Sequence, residues 1–275
     1  MTEQELLSRV NELPKVPRVV QELVGMLSDP DCDFSKLAQK ISMDQVISAK
    51  VLRLSNSAHF GRSRTIASIH EAVIRLGLAP LKTMIVVSWL TSAFPRVKHL
   101  DMGQFWSDTF EIASIASKIA EKVRIDANEM FTAGILHNIG DLMVYTLAPE
   151  QACEIARRVE EGEDRQAVQM ELLGTTTAKL GSQLARLWKF PARLVDTIEY
   201  HANPKEAKVE PLRALVVNFA CQLHRDWDQL ESKAAKIDYF VSHTNSGALI
   251  LPSSFYIAID EIRGQGREMA KQMAC

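Results

Sequence analysis

The sequence predicts an all-α protein. Three observations carry that expectation. Nearly every segment with a hydrophobic period has the helical one, capping residues stand just ahead of those segments, and no Asn-Gly or Asp-Gly pair joins two alternating runs as a hairpin would need. In Val19, Val20, Leu23, Val24 and Leu27 the apolar positions fall on one helix face. Asp33 reads as the N-cap of a helix presenting Leu37, Ala38 and Ile41, and Asp44 as the N-cap of one presenting Ile47, Val51 and Leu54. Ser68-Ile-His-Glu71 is a capping box whose helix stops at Gly77. A mostly apolar helix follows from Leu78 to Phe94, ended by Pro95. Phe105–Val123 reads as a helix with Ile112, Ile115, Ala116, Ile119 and Val123 on one side. Asp126 opens another, with Glu129 three residues on, that runs through Leu142 towards Pro149. Further helices fit Glu150–Glu161, Ala178–Trp188, Ala192–His201 and Leu212–Leu230, punctuated by Gly162, Pro191, Pro204 and Pro211. Only Ala248–Leu251 has the look of a strand, and a buried loop fits it equally.

Composition narrows the class. The 275 residues are 47% hydrophobic and 24% charged with a formal net charge of −2, which excludes wholesale disorder, collagen-like repeats and a coiled-coil rod. The apolar run from Met84 to Phe94 is broken by Ser88, Thr91 and Ser92 and falls short of the ~20 residues a bilayer needs. The opening MTEQELLSRV is acidic and polar, unlike a secretory signal, so a cytoplasmic protein with no membrane partner is expected. Cys32, Cys153, Cys221 and Cys275 lie far apart, which argues against a disulfide framework and a zinc ribbon. Pro95, Arg96, Lys98 and Asp101 interrupt two apolar helices. We therefore expect an N-terminal helical bundle over residues 1–97, packed on a second helical unit over 98–275 whose part beyond Pro204 is an extension.

Charge is distributed unevenly. Between Gln45 and Lys98 stand Lys50, Arg53, Arg62, Arg64, Arg75, Lys82, Arg96 and Lys98 against the single acid Glu71, formally +7, so the rest of the chain is −9. That asymmetry suits an anionic partner, although the same charges scattered round several helices would only keep them soluble. Few aromatics interleave with these bases, and a pI near 6.4 argues against a dedicated nucleic-acid binder. Within the stretch, Leu54-Ser-Asn-Ser-Ala-His-Phe-Gly61 is a polar connector whose Asn and Ser side chains suit free backbone groups at helix ends. Arg53, Asn56, Arg62 and Arg64 are the candidate donors to a ligand or partner.

Three stretches resemble a known family, the HD-related output domain (HDOD) of bacterial signalling proteins. They are Leu13-Pro-Lys-Val-Pro17; Ile41-Ser-Met-Asp44 with Lys50–Gly61 and Ser68–Gly77; and Phe131-Thr-Ala-Gly-Ile-Leu-His-Asn-Ile-Gly140 with Trp188-Lys-Phe-Pro191 and Ile198-Glu-Tyr-His201. The resemblance spans roughly residues 13–205 and implies an N-terminal bundle joined to a unit descended from HD phosphohydrolases. In those enzymes His and Asp side chains hold divalent cations that activate water against a phosphoester.

Laid over this chain, the HD ligand pattern falls on Asp108, His137, Asn138, Thr177, Ala202 and Cys221. Only His137 matches. Asn138 keeps the shape of aspartate without its charge, Ala202 can ligate nothing, and His201 and Asp226 are the near substitutes. Functional zinc sites use at least three protein ligands, so no metal, no cofactor and no catalytic residue is expected. His137 is expected to pack at a helix contact, bonded to a neighbour such as Asp108 or Asp141. Asp141, one turn on, leaves a rescued His137/Asp141 metal site as the lesser reading. Cys221 and His224 share a helix face, but a core cysteine explains the former. The function expected is a non-catalytic signalling module that binds a protein in trans or a small phosphorylated ligand, since no sensor or receiver segment accompanies it. The alternative is a residual metal-dependent phosphohydrolase.

Overall fold

Short aspartate and serine side chains set the helix starts. Asp33 accepts the N–H groups of Ser35 and Lys36 at 2.9 and 3.1 Å, and Asp44 those of Val46 and Ile47 at 3.0 and 2.9 Å. Ser68 accepts from Glu71 at 3.1 Å, while the Glu71 carboxylate reaches back to the N–H of Ala67 at 3.0 Å. The computed structural model describes residues 2–27, 29, 31–61 and 65–273, so Arg62 and Arg64 lie outside the described residues.

The described residues form eighteen α-helices and no strand. In the first half they are α1 (Glu3–Ser8), α2 (Arg18–Met26), α3 (Phe34–Ser42), α4 (Gln45–Ser55), α5 (Ile69–Leu76) and α6 (Leu78–Ala93). The central set is α7 (Met102–Val123), α8 (Ala127–Leu136), α9 (Ile139–Leu147), α10 (Pro149–Glu160), α11 (Arg165–Leu173), α12 (Thr177–Leu187) and α13 (Ala192–Tyr200). The last are α14 (Pro211–Asp226), α15 (Lys233–Ser242), α16 (Thr244–Ala248), α17 (Tyr256–Ile262) and α18 (Gln265–Met273). No described helix is long and apolar enough to cross a membrane.

One apolar core runs from Leu6 to Met273 and draws on both sides of Val97, through Leu81, Ile85 and Leu90 of α6 and Phe110, Phe131 and Ile135 beyond it. A second core, centred on Ile115, Phe219 and Phe240, ties α7 to α14 and the helices after it. The C-terminal α18 returns across the molecule to pack on both α7 and α4. It is pinned by Glu111 of α7, a carboxylate only 5% exposed that accepts the N–H groups of Gly264 at 2.9 Å and Gly266 at 2.7 Å.

Two expectations change. The helix opened by Asp126 is not continuous but breaks at His137 and Asn138, between α8 and α9. The reason is close packing on both sides of the break. A Cβ on Gly134 would collide with the backbone of Ala113 in α7, and one on Gly140 with the carbonyl of Thr177 in α12. Ala248–Leu251, the strand-like stretch, is instead the end of α16 and a turn containing Ile250 at φ 52°.

These contacts set the sign of two glycine substitutions. Gly140→Ala should cost about 3 kcal/mol in urea unfolding, because backbone on both helices must move. Gly25→Ala, inside α2 with nothing within 4 Å of the new methyl, should gain about 0.5–1 kcal/mol. Equal effects would contradict the close approach of α9 and α12.

Candidate functional site

Two helix ends bring two histidines together. His137 follows α8 and its Nδ1–H donates to the Gly134 carbonyl at 2.6 Å; His201 follows α13 and its Nδ1–H donates to the Ile198 carbonyl at 2.8 Å. A carbonyl can only accept, so these bonds assign the proton to Nδ1 and leave Nε2 of each ring a lone pair. The rings meet edge to face, with centroids 5.3 Å apart at 88°. Burial pushes His137 down to about 3, helped by His201 and opposed by the Gly134 bond and Asp141. Burial also lowers His201. Both rings are therefore neutral at neutral pH.

The carboxylate beside them is already paired. Asp141, on the first turn of α9, accepts from Nη2 of Arg165 at 2.8 Å. Asp141 is the leading cause that raises the Arg165 guanidinium, with burial working against it. Asn138 donates from Nδ2 to Oγ1 of Thr109 at 2.8 Å, and that hydroxyl donates to the Phe105 carbonyl at 2.7 Å; Oδ1 of Asn138 is buried with no partner. Thr177 opens α12, where its Oγ1 accepts from Gln169 at 3.0 Å and its N–H donates to the same amide at 3.1 Å. Asp141, Tyr145, Arg165 and Thr177 border one small cavity of about 30 Å³.

The remaining expected positions stand elsewhere or are inert. Asp108 accepts from Gln104 at 2.8 Å and lies 3.2 Å from Nε2 of His224, whose Nδ1 faces Arg263 at 3.3 Å. It is joined to that network and not to His137. Burial pushes the Cys221 thiol up to about 12, so it is protonated at neutral pH and no ready nucleophile. Ala202 contributes only a carbonyl, 3.4 Å from Asn218 Nδ2. The expected bond from His137 to Asp108 or Asp141 is replaced by the backbone bond to Gly134.

The donor set fits a divalent cation poorly. Among the described residues no three His, Cys, Asp or Glu side chains stand together in a way that could hold a metal ion. Two imidazoles and an amide oxygen offset none of a cation's charge, and the nearby carboxylate faces a guanidinium that would repel it. Arg165 and Thr109 were not singled out in the sequence; the pair Arg165–Asp141 spans 24 residues and two helices, a separation no local pattern reports.

The connector before α5 is closed by Asn56. Its Nδ2 donates to the carbonyls of Leu52 at 2.9 Å and Ile66 at 2.8 Å, and its Oδ1 accepts from the Ile66 N–H at 2.8 Å. Arg53 reaches the Gln272 carbonyl at 3.1 Å, so this corner also meets α18. Of the other bases in the stretch, Lys50 is buried and donates to Thr91 at 3.0 Å, and Arg75 pairs with Glu71 at 2.9 Å.

Helices α8, α9, α12 and α13, meeting at two histidines, define a helical fold of the HD-like class. The chain belongs to the HDOD domain family, whose model matches residues 13–204. A Shewanella amazonensis crystal structure, of a protein named as a candidate phosphohydrolase, is 33% identical over 98% of this chain and 97% of its own, with a TM-score of 0.84. The Geobacter sulfurreducens HDOD domain protein with unknown function is 26% identical over 98% and 96%, with a TM-score of 0.81. An uncharacterized protein of Treponema pallidum is 25% identical over 210 residues, 74% of this chain. The chain spans 40% of the length of that curated relative.

The histidine burial predicts an acid-side loss of stability. A group whose folded pKa lies below its unfolded one binds protons preferentially when unfolded, so stability rises with pH between the two values. For His137 (about 3) and His59 (about 4) the window runs from ~6.5 downward, at up to ~1.4 kcal/mol per pH unit per histidine. Denaturant unfolding at successive pH values should show this slope. His137→Ala should lower stability at pH 7 by about 1–3 kcal/mol and remove one histidine's share of the slope. An unchanged slope would contradict the buried neutral ring.

Proposed function

We propose that this chain is a non-catalytic signal-transduction output module, a pseudoenzyme in which the metal centre of the HD scaffold has been lost and which acts by binding. The single observation that carries the reading is the ion pair Arg165–Asp141 beside two neutral histidines, where a phosphohydrolase would need ionised carboxylates around a cation. A guanidinium supplies positive charge and donors to hold the helices, but it cannot lower the pKa of a bound water as a divalent ion does. The partner we infer is a signalling protein supplied in trans, or a small phosphorylated ligand, met in the cytoplasm. Nucleic acid is disfavoured because Lys50 of the basic stretch is buried against Thr91 and Arg75 is paired with Glu71 on the surface of α5.

The alternative, a residual metal-dependent phosphohydrolase, is favoured by the name of the 33% identical Shewanella protein and by the two Nε2 lone pairs at the site. Elemental analysis and phosphodiesterase turnover on the purified chain separate the two. We expect no stoichiometric Mn, Fe or Zn and no turnover when these ions are added. A cation bound by three or more side chains, with turnover lost in His137→Ala, would establish the enzyme. The third reading is checked by DNA retention, which should be absent even at low salt.

A further inference from the structure

We propose that the groove framed by Leu13–Val16, α2 and the Trp188–Pro191 turn docks an extended acidic peptide segment of a partner protein, anchored by apolar side chains. This deepens the binding role proposed above and rests on it. The groove has a volume of about 660 Å³, within the range of ordinary ligand sites, and Leu13, Val16, Val20, Trp89, Trp188 and Phe190 give it an apolar lining. Trp188 stands edge-on to Trp89, with ring centroids 4.7 Å apart at 82°. Trp89 is buried and Trp188 only half-buried, so Trp188 is the ring an anchor meets. Two stretches that carry the family resemblance thus face each other here, and neither belongs to the histidine site.

Charge selects the partner. Lys15, Lys82 and Lys189 line the groove, and no Asp or Glu does. Lys82 lies within reach of the Glu129 charge, so the net charge on offer comes from Lys15 and Lys189. Both are exposed, and among the described residues neither ammonium has a hydrogen-bond or ion-pair partner. The acids nearest in the chain are engaged elsewhere: Glu12 with Arg9 at 2.8 Å, and Glu22 with Lys40 and with Arg18 at 2.7 Å. Lys189 closes α12 at φ 60°, a left-handed position that favours glycine. A lysine there sets its charge at the groove's edge. Carboxylates on a docked segment would complement these two cations.

The backbone favours a peptide over a small anion. Leu13 and Pro17 are extended, with ψ 156° and 148°, and the N–H groups of Lys15 and Val16 between them have no backbone partner among the described residues. An extended segment laid alongside can offer its carbonyls to such donors while alternate side chains fill the apolar lining. The facing wall has room: a Cβ on Gly25 of α2 would meet nothing within 4 Å.

The test is fluorescence-polarisation titration of the full chain with labelled peptides of alternating acidic and apolar residues, such as Glu-Leu-Asp-Phe-Glu-Leu-Asp. Each is paired with an amide counterpart carrying Gln and Asn, and with one carrying Ala at the apolar positions. We expect at least one acidic peptide to saturate a single site, at least tenfold tighter than either counterpart. Lys15→Glu combined with Lys189→Glu should weaken it at least tenfold with Tm unchanged. Gly25→Trp should abolish it by filling the groove, and Gly25→Leu is the second filler if Gly25→Trp does not fold. No acidic peptide saturating, a counterpart binding as well, or affinity unchanged in the charge-reversed and filler variants would overturn the proposal. Displacement of the label by inorganic phosphate or DNA as effectively as by unlabelled peptide would also overturn it, in favour of a small anion or a nucleic acid. Elemental analysis of the same sample keeps the two readings apart. Metal-free, inactive protein that ignores every peptide sinks the groove alone, while stoichiometric metal with turnover sinks the pseudoenzyme reading.

Discussion

The contact on which the site depends is between two stretches of backbone. Gly140 of α9 lies so close to Thr177 and Gly181 of α12 that no side chain fits between them. On the other side of the break, Gly134 of α8 also lies against the backbone of Ala113 of α7. These approaches force the chain to turn at His137 and Asn138. The turn ends α8 at His137 and lets its ring bond back to Gly134. Packing density therefore dictates where a functional side chain can sit, because close-packed backbone has no slack to absorb a displacement.

The electrostatics follow from that placement. A histidine at a buried helix end has one carbonyl within reach and little solvent exposure, so it becomes neutral with a defined tautomer. His201 uses the same device at the end of α13, and the two rings meet. Two neutral rings place no demand on a counter-charge, which leaves Asp141 available to Arg165 of α11. The pair is partly open to water, with side-chain exposures of 18% and 51%, so its contribution to stability is modest. Its larger effect is occupancy: the carboxylate is engaged by a group that cannot ligate or activate water.

Much of this was legible in the sequence, for physical reasons. Asp33, Asp44, Ser68 and Asp126 each cap the helix they were expected to open, because capping depends on residues within one turn. The apolar α6 and the stop at Gly77, where φ is 79°, are local facts too. The break between α8 and α9 was missed because it is imposed by α7 and α12, more than twenty residues away in either direction. Helix α11 and the helices from α15 to α18 were also missed. They are short, and α18 depends on the buried Glu111 carboxylate for its start. At the site, Thr177 lies against Gly140, two residues beyond Asn138. Asp108 instead joins His224, and Arg165, which holds Asp141, belongs to no motif.

Arg165 also changes what holds the fold together. Where a cation is ligated by several helices, binding free energy is folding free energy, and removing the ion loosens the bundle. Here α11 is tied to α9 by the guanidinium and to α12 by the closed pair Gln169–Thr177, both made of side chains the chain carries itself. The helices around the two histidines are thereby joined by side chains of the chain itself.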